Sequence, residues 1–130
     1  MNRTRSIVFG MALLCTFGAA RAEEKIDAKY EVLKDVTFCM SFFNGMSLVV
    51  ASNKKSDMES VRDAFAILAA TLAESDKPLM NKALKETADR AASEIVGRSG
   101  EQRYEVSKRC APYLAPGGVE KAVAERGGKQ

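Results

Sequence analysis

The sequence contains no histidine and no tryptophan among its 130 residues. Histidine is the usual general base of enzymes, the commonest zinc ligand and the base partner of a nucleophilic serine or cysteine. Its absence excludes a histidine-based catalytic triad, a histidine-ligated haem and the Glu-x-x-His metal ligands of di-iron bundles. The sequence therefore predicts no catalytic residue, no metal ligand and no cofactor.

Carboxylate chemistry is the main catalytic alternative that remains. The 17 acidic residues are spread among lysines along helical stretches, which is typical of solvated helix faces and intrahelical pairs. The sequence has no calcium loop, phosphate-binding glycine loop or G-x-S-x-G motif. We therefore expect a non-enzymatic protein, and a carboxylate-based enzyme is the less favoured alternative.

Residues 1–22 have the three parts of a secretory signal peptide. Arg3 and Arg5 form the positive region, residues 7–17 are apolar, and Ala20-Arg21-Ala22 supplies small residues for cleavage. The apolar run is too short for a convincing membrane-spanning helix. We expect cleavage before Glu23, a periplasmic or secreted protein, and no stable membrane insertion after cleavage.

A lipoprotein is the alternative interpretation of the same segment. It would require Cys15 to become the lipidated first residue of the mature chain. Leu14 precedes this cysteine, where such signals carry a small residue. The sequence therefore favours simple cleavage.

Export also removes the excess of positive charge. The whole chain has 20 basic and 17 acidic residues, and residues 1–22 contain three arginines and no acid. The remaining chain has 17 of each sign, so its net charge is zero. Nothing in the overall charge favours binding to nucleic acid or to an anionic membrane, and we expect the partner to be another protein.

Two cysteines, Cys39 and Cys110, remain after the predicted cleavage. In an oxidising compartment they are expected to form a disulfide. The bridge would close 72 residues, for which the loop-entropy model gives a stabilisation of about 4 kcal/mol. A reactive free thiol is the alternative, but the chain has no histidine to activate it and Cys39 lies in an apolar run that would raise its pKa.

The most apolar part of the mature chain, residues 36–50, predicts a central helix that other helices surround. Apolar residues recur every three or four positions from Ile26 to Val50, which is a helical period. Asn44-Gly45 interrupts the pattern. We favour a helix whose glycine lets a neighbour approach or permits a kink, over a tight turn.

Two further helices follow this central segment. The second is predicted to begin with a capping box at Ser56 and Glu59, and the third has Pro78 in its first turn. The inward stripe of the second consists of Met58, Val61, Phe65, Leu68 and Leu72, and that of the third consists of Met80, Leu84, Ala88, Ala91 and Ile95.

A shorter fourth helix is predicted to begin at a capping box formed by Ser99 and Gln102 and to be limited by Pro112. Residues 115–130 are rich in glycine, with a helix-capable piece at 119–126, and are expected to be flexible or loosely docked. The sequence thus predicts an all-α protein. Its helical domain at 23–114 would be a small up-and-down bundle of three to four helices with one disulfide.

Phe38, Phe42, Phe43 and Met46 form an aromatic and methionine cluster with two interpretations. It can be core, because such side chains fill irregular gaps in small bundles. It can also be an apolar contact surface for a partner, because three rings point inward from one helix only if both of its faces are covered. The four residues are therefore candidate contact residues.

A short exported chain with an early and a late cysteine in an all-helical domain resembles several small bacterial envelope proteins. These include the helical immunity proteins of type VI secretion and the acid-stress periplasmic chaperones. The resemblance is one of architecture, from about Tyr30 to Leu114, and carries over no residue role. We expect a protein-binding factor of the interaction, inhibitor or immunity-like kind in the bacterial envelope, with a stress chaperone of many clients as the alternative.

Overall fold

The structure, a computed structural model, describes residues 28–128, which form five α-helices. These are α1 (28–49), α2 (Ser52–Leu72), α3 (Lys77–Ser93), α4 (Gly100–Leu114) and α5 (Gly118–Gly127). The predicted all-α bundle with a disulfide between Cys39 and Cys110 is confirmed, and the fifth helix lies in the segment predicted to be a tail. The predicted signal peptide lies outside the described residues. Within those residues, no helix combines the length and apolarity that crossing a bilayer requires.

Helix α1 is the central element, as its apolar sequence predicts, because it contacts each of the other four helices. The contacts are Phe43 with Phe65 of α2, Thr37 with Thr87 of α3, Cys39 with Cys110 of α4, and Asp35 with Arg126 of α5. Its fully buried side chains include Val32, Leu33, Val36 and Phe42. Each such burial stabilises the fold by about 1.5–3 kcal/mol.

Helix α3 packs against α1 through small residues. Ala83, Thr87 and Ala91 are buried, whereas Ala88 is exposed, so the inward face is displaced from the predicted stripe. Small residues on the line of closest approach let the helices come together, and Met80 and Leu84 pack half-buried beside that line. The Thr87 hydroxyl donates to the Ala83 carbonyl at 2.8 Å, which satisfies it in the apolar interface.

The capping box at Ser99 and Gln102 is confirmed, with both reciprocal hydrogen bonds formed. The predicted box at Ser56 and Glu59 is wrong. Helix α2 begins one turn earlier, at Ser52, because α1 ends at residue 49 and the good helix formers Lys54 and Lys55 extend the helix past the box. No side chain in the described range caps this early start.

The turn between α2 and α3 combines a cap with two unfavourable backbone conformations. Asp76 accepts from the backbone N–H of Leu79 at 3.1 Å, and Pro78 lies in the first turn of α3 as predicted. Glu74 and Ser75 both have positive φ, at 52° and 62°. The left-handed region is costly for residues with a Cβ.

Helix α4 does not stop at Pro112, as the sequence predicts, but continues to Leu114. A proline so close to the C-terminus removes only one backbone hydrogen bond of the last turns, so the helix can include it. Helix α5 follows after Gly117, which has φ of 71°, and buries Val119. The flexibility predicted for residues 115–130 is a statement about motion and stays a prediction.

Candidate functional site

The structure places the predicted contact residues mostly in the core. Phe38, Phe42 and Phe43 are each at most 8% exposed, and Met46 is half-buried. The Phe42 and Phe43 rings meet edge to face, and Phe43 stacks on Phe65 with 5.7 Å between ring centroids. Because α1 is covered on several sides, its three rings can all point inward, and a partner could reach them only if the bundle opened.

The exposed apolar side chains lie elsewhere, and three of them share one end of the bundle. Leu48 is 75% exposed, Val49 is 51% exposed and Val96 is 78% exposed. We call these three residues the bundle-end surface.

Gly45 explains why these three side chains lie at the same end. A Cβ at Gly45 would stand 2.4 Å from Cδ1 of Ile95, so the missing side chain lets the segment after α3 pack directly on α1. Leu48 and Val49 lie one turn beyond Gly45 on the same face of α1, and Val96 follows Ile95 in the chain. The prediction that this glycine lets a neighbour approach is confirmed.

Basic residues follow the members of the bundle-end surface closely in the sequence. Lys54 and Lys55 lie in the first turn of α2, a few residues after Val49, and Arg98 follows Val96. Within residues 28–128 none of these three makes an ion pair, whereas Arg62 nearby pairs with Asp63 and donates to Asn44 at 3.0 Å. An apolar centre with a charged rim is the usual anatomy of a protein interface, and these three residues are the candidates for the rim.

A second feature is a small cavity of about 250 Å³ beside the disulfide, which we call the disulfide cleft. Three helices supply its walls. Its lining residues are Asp35, Phe38 and Cys39 of α1, Arg90 of α3 with Glu94 just after it, and Arg109, Cys110 and Tyr113 of α4.

One carboxylate organises the edge of this cleft. Asp35 Oδ2 accepts a hydrogen bond of 2.7 Å from the Tyr113 hydroxyl and another from Nη2 of Arg126. Burial and the hydrogen bond to Asp35 raise the pKa of Tyr113 to about 12. The phenol therefore stays protonated at neutral pH and acts as a donor.

The cleft brings two acids, Asp35 and Glu94, to one cavity, which is the arrangement that carboxylate catalysis requires. However, Oδ2 of Asp35 already accepts from a tyrosine and an arginine. A carboxylate oxygen that already accepts two hydrogen bonds from neighbouring helices suits a structural role better than proton transfer to a substrate. The geometry thus favours binding over acid and base chemistry at this cleft.

The acids of the chain are spread among lysines along helical stretches, a pattern that indicates solvated helix faces and does not locate the charged residues of the cleft. The predicted disulfide held the signal that could have located them. Asp35 lies one turn before Cys39 and Arg109 is adjacent to Cys110, so a bridge between the cysteines brings both side chains to one neighbourhood.

Within residues 28–128, no group of three or more cysteine or acidic side chains is placed to hold a metal ion. Comparisons with protein-family models, with curated proteins and with solved structures gave no match to this chain. Among the described residues, the bundle-end surface and the disulfide cleft are the two features that bear on function.

Proposed function

We propose that this protein is a non-enzymatic binding factor of the cell envelope that engages another protein through the bundle-end surface. The observation that carries the proposal is the grouping of Leu48, Val49 and Val96, all more than half exposed, at one end of a disulfide-bonded bundle. Exposed apolar side chains that are scattered singly need no explanation, but a group with a polar rim is typical of an interaction site.

The expected occupant is an apolar segment of a partner protein rather than a second copy of this chain. Aliphatic side chains of this size present roughly 100 Å² each, inferred from their burial energies. Three of them supply only part of the ~800 Å² per partner that a specific interface buries, and they fall further short of the ~1,000–2,500 Å² per partner of an obligate homodimer. They match instead the small central cluster of a heterologous interface, where a few side chains supply most of the binding energy.

The charged rim points to the same kind of occupant. Lys54, Lys55 and Arg98 have no acidic partner within the described range, so they are free to meet carboxylates on the partner. Rim charges of this type contribute to association rate and orientation more than to affinity. We therefore expect a partner segment that is apolar at its centre and acidic at its ends.

Site-specific photocrosslinking in the native envelope tests this proposal. A photoreactive residue replaces Leu48 or Val96, and Ile67 is the matched control because it is an exposed apolar residue of α2, 69% exposed, that lies outside the bundle-end surface. We expect one dominant partner from Leu48 and Val96 and none from Ile67. The purified partner should bind the wild-type protein with fixed stoichiometry, and the Leu48→Asp and Val96→Asp variants should each weaken that binding at least tenfold.

Other outcomes would overturn the proposal in distinguishable ways. Capture of many unfolded proteins would support the chaperone alternative. Capture of a second copy would make the surface a dimer interface. Equal capture from Leu48, Val96 and Ile67 would show that the bundle-end surface is not the binding site.

A further inference from the structure

Six arginines lie within residues 28–128, and two of them have a guanidinium without a hydrogen-bond acceptor or an acidic partner in that range. These two are Arg90 and Arg109, and both line the disulfide cleft. The guanidinium groups of the other four arginines all donate hydrogen bonds. Arg62 donates to the side chains of Asp63 and Asn44, and Arg126 donates to Asp35. Arg98 donates to the backbone carbonyl of Ser93, and Arg103 donates to that of Ile95. The two arginines of residues 28–128 whose guanidinium groups have no acceptor there thus line one cavity.

Arg90 is held in place by an aromatic ring. Its guanidinium carbon lies 4.6 Å from the centroid of the Phe38 ring, a cation–π contact. Contact with a ring face leaves the in-plane N–H groups of a guanidinium available, and these are the donors that bind carboxylates in pairs. Arg109 approaches the same cavity from α4.

The charges of the cleft specify the charge of a ligand. The positive charge of Arg126 neutralises the negative charge of Asp35. Arg90 and Arg109 together carry two positive charges and Glu94 carries one negative charge, so the cleft has a net charge of one positive. A single carboxylate brings the cleft to neutrality, whereas a doubly charged phosphate would add a negative charge beside Glu94. The Phe38 ring and the disulfide supply an apolar wall, and a cavity of about 250 Å³ is smaller than the sites that hold drug-sized ligands.

We propose that the disulfide cleft binds the carboxylate of a small apolar acid, through paired hydrogen bonds from Arg90 and Arg109. The carboxylate can belong to a free short-chain acid or to the C-terminus of a peptide, since both present the same chemistry. This site shares no residue with the bundle-end surface, so its test is independent of the test of the function proposed above.

Titration of the oxidised protein with defined probes tests the proposal. The probes are hexanoate, the tripeptide acetyl-Ala-Ala-Leu with a free C-terminus, its C-terminal amide, and inorganic phosphate. Binding is followed by the side-chain Nε–Hε signals of the arginines in ¹H–¹⁵N spectra. We expect hexanoate or the free-acid peptide to shift the signals of Arg90 and Arg109, with no saturable shift from the amide or from phosphate.

The two acid probes distinguish the sources. Tighter binding of hexanoate assigns the site to a free acid, and tighter binding of the free-acid peptide assigns it to a chain terminus. Either result supports a carboxylate site.

Matched variants identify the residues responsible. Arg90→Gln and Arg109→Gln should each weaken binding about tenfold, as expected for the loss of charge-assisted hydrogen bonds. Lys77→Gln makes the same change of charge at an exposed residue of α3 outside the cleft and should leave binding unchanged. Arg109 is exposed, so its variant should fold normally even if loss of the contact between Arg90 and Phe38 destabilises the other variant.

Three results would overturn the proposal. One is the absence of any saturable shift of the arginine signals with both acids. Another is equal binding of the peptide acid and its amide. The third is a Lys77→Gln effect as large as that of Arg109→Gln, which would show that the interaction is general electrostatic attraction.

Discussion

Arg126, in the last turn of the last helix, donates to Oδ2 of Asp35 in the first helix, 91 residues earlier. The Tyr113 hydroxyl of α4 donates to the same oxygen at 2.7 Å. One half-buried carboxylate oxygen thus joins α1, α4 and α5. The position of the C-terminal helix depends on this junction together with the burial of Val119.

Removing the arginine should release α5 while leaving the rest of the bundle intact. We expect Arg126→Gln to lower the free energy that protects α5 by about 1 kcal/mol, because both partners of the ion pair are about one third exposed and are screened by solvent. Hydrogen exchange should accelerate at the backbone amides of α5 and not at those of α1. Lys121→Gln is the control, since Lys121 makes only a long, exposed pair with Glu125. Equal acceleration in both variants would contradict the junction.

Tyr113 should make the stability of the protein sensitive to alkaline pH. Its pKa is about 12 in the folded protein, against an ordinary value of 10.0, so the unfolded chain loses the phenolic proton first. The contribution of Tyr113 is therefore complete below pH 10 and is lost as pH rises through about 12. Urea unfolding should give a wild-type advantage over Tyr113→Phe of about 1 kcal/mol at pH 8, and a smaller one at pH 11. A difference that stays constant with pH would contradict the assignment.

The disulfide should supply a large share of the stability. Cys39 and Cys110 are 71 positions apart, and both are almost fully buried. Closure of a loop of this size is expected to stabilise the protein by about 4 kcal/mol. Denaturant unfolding with and without a reductant should show this difference, and the Cys39→Ala, Cys110→Ala double variant should match the reduced wild type. Exported protein that begins at Glu23, and therefore lacks Cys15, should present no titratable thiol until it is reduced, and free thiol in that form would contradict the bridge.

Much of the fold could be predicted because the hydrophobic pattern is strongly periodic. The stripe of α2 from Met58 to Leu72 packs inward as predicted, and the cap at Ser99 forms as predicted. The face of α3 could not be predicted in the same way. Its central line is set by the close approach of Ala83 and Thr87 to α1, a tertiary constraint that favours small residues over the more hydrophobic Met80 and Leu84.

The disulfide cleft was harder to predict than the fold, because most of its residues are polar and they come from three distant parts of the sequence. Phe38 was recognisable as a ring of the central helix, but its contact with Arg90 joins two helices whose relative rotation the sequence does not give. The exposure of Leu48 and Val49 could not be predicted, because they continue an apolar run that indicates burial. Only the end of α1 at residue 49 leaves them uncovered.

The turn between α2 and α3 offers a direct test of backbone strain. Ser75 has φ of 62°, a conformation that glycine adopts without steric cost. We expect Ser75→Gly to raise the free energy of unfolding by about 0.5–1 kcal/mol. Ser60→Gly is the matched control, because Ser60 is an exposed residue inside α2 and glycine there should lower stability by about 0.5 kcal/mol. A loss of stability in both variants would show that the turn is not strained.

Two glycines beside α4 should respond in opposite ways to the same substitution. A Cβ at Gly118 would stand 2.0 Å from the backbone carbonyl oxygen of Pro112, so Gly118→Ala requires the backbone between α4 and α5 to move. Because α5 is held by its junction with Asp35, that movement should weaken its docking and lower the thermal unfolding temperature.

Gly100, the first residue of α4, is the control for this substitution. Within the described residues no atom outside its immediate surroundings lies within 4 Å of a Cβ placed there. Gly100→Ala should therefore stabilise the protein by about 0.4–1 kcal/mol, because alanine reduces the freedom of the unfolded chain. Calorimetry should show a lower unfolding temperature for Gly118→Ala and a higher one for Gly100→Ala than for the wild type. A stabilised Gly118→Ala variant would contradict the close approach of Gly118 to Pro112. It would also mean that the hydrogen bond between Arg126 and Asp35 does not hold α5 firmly in place.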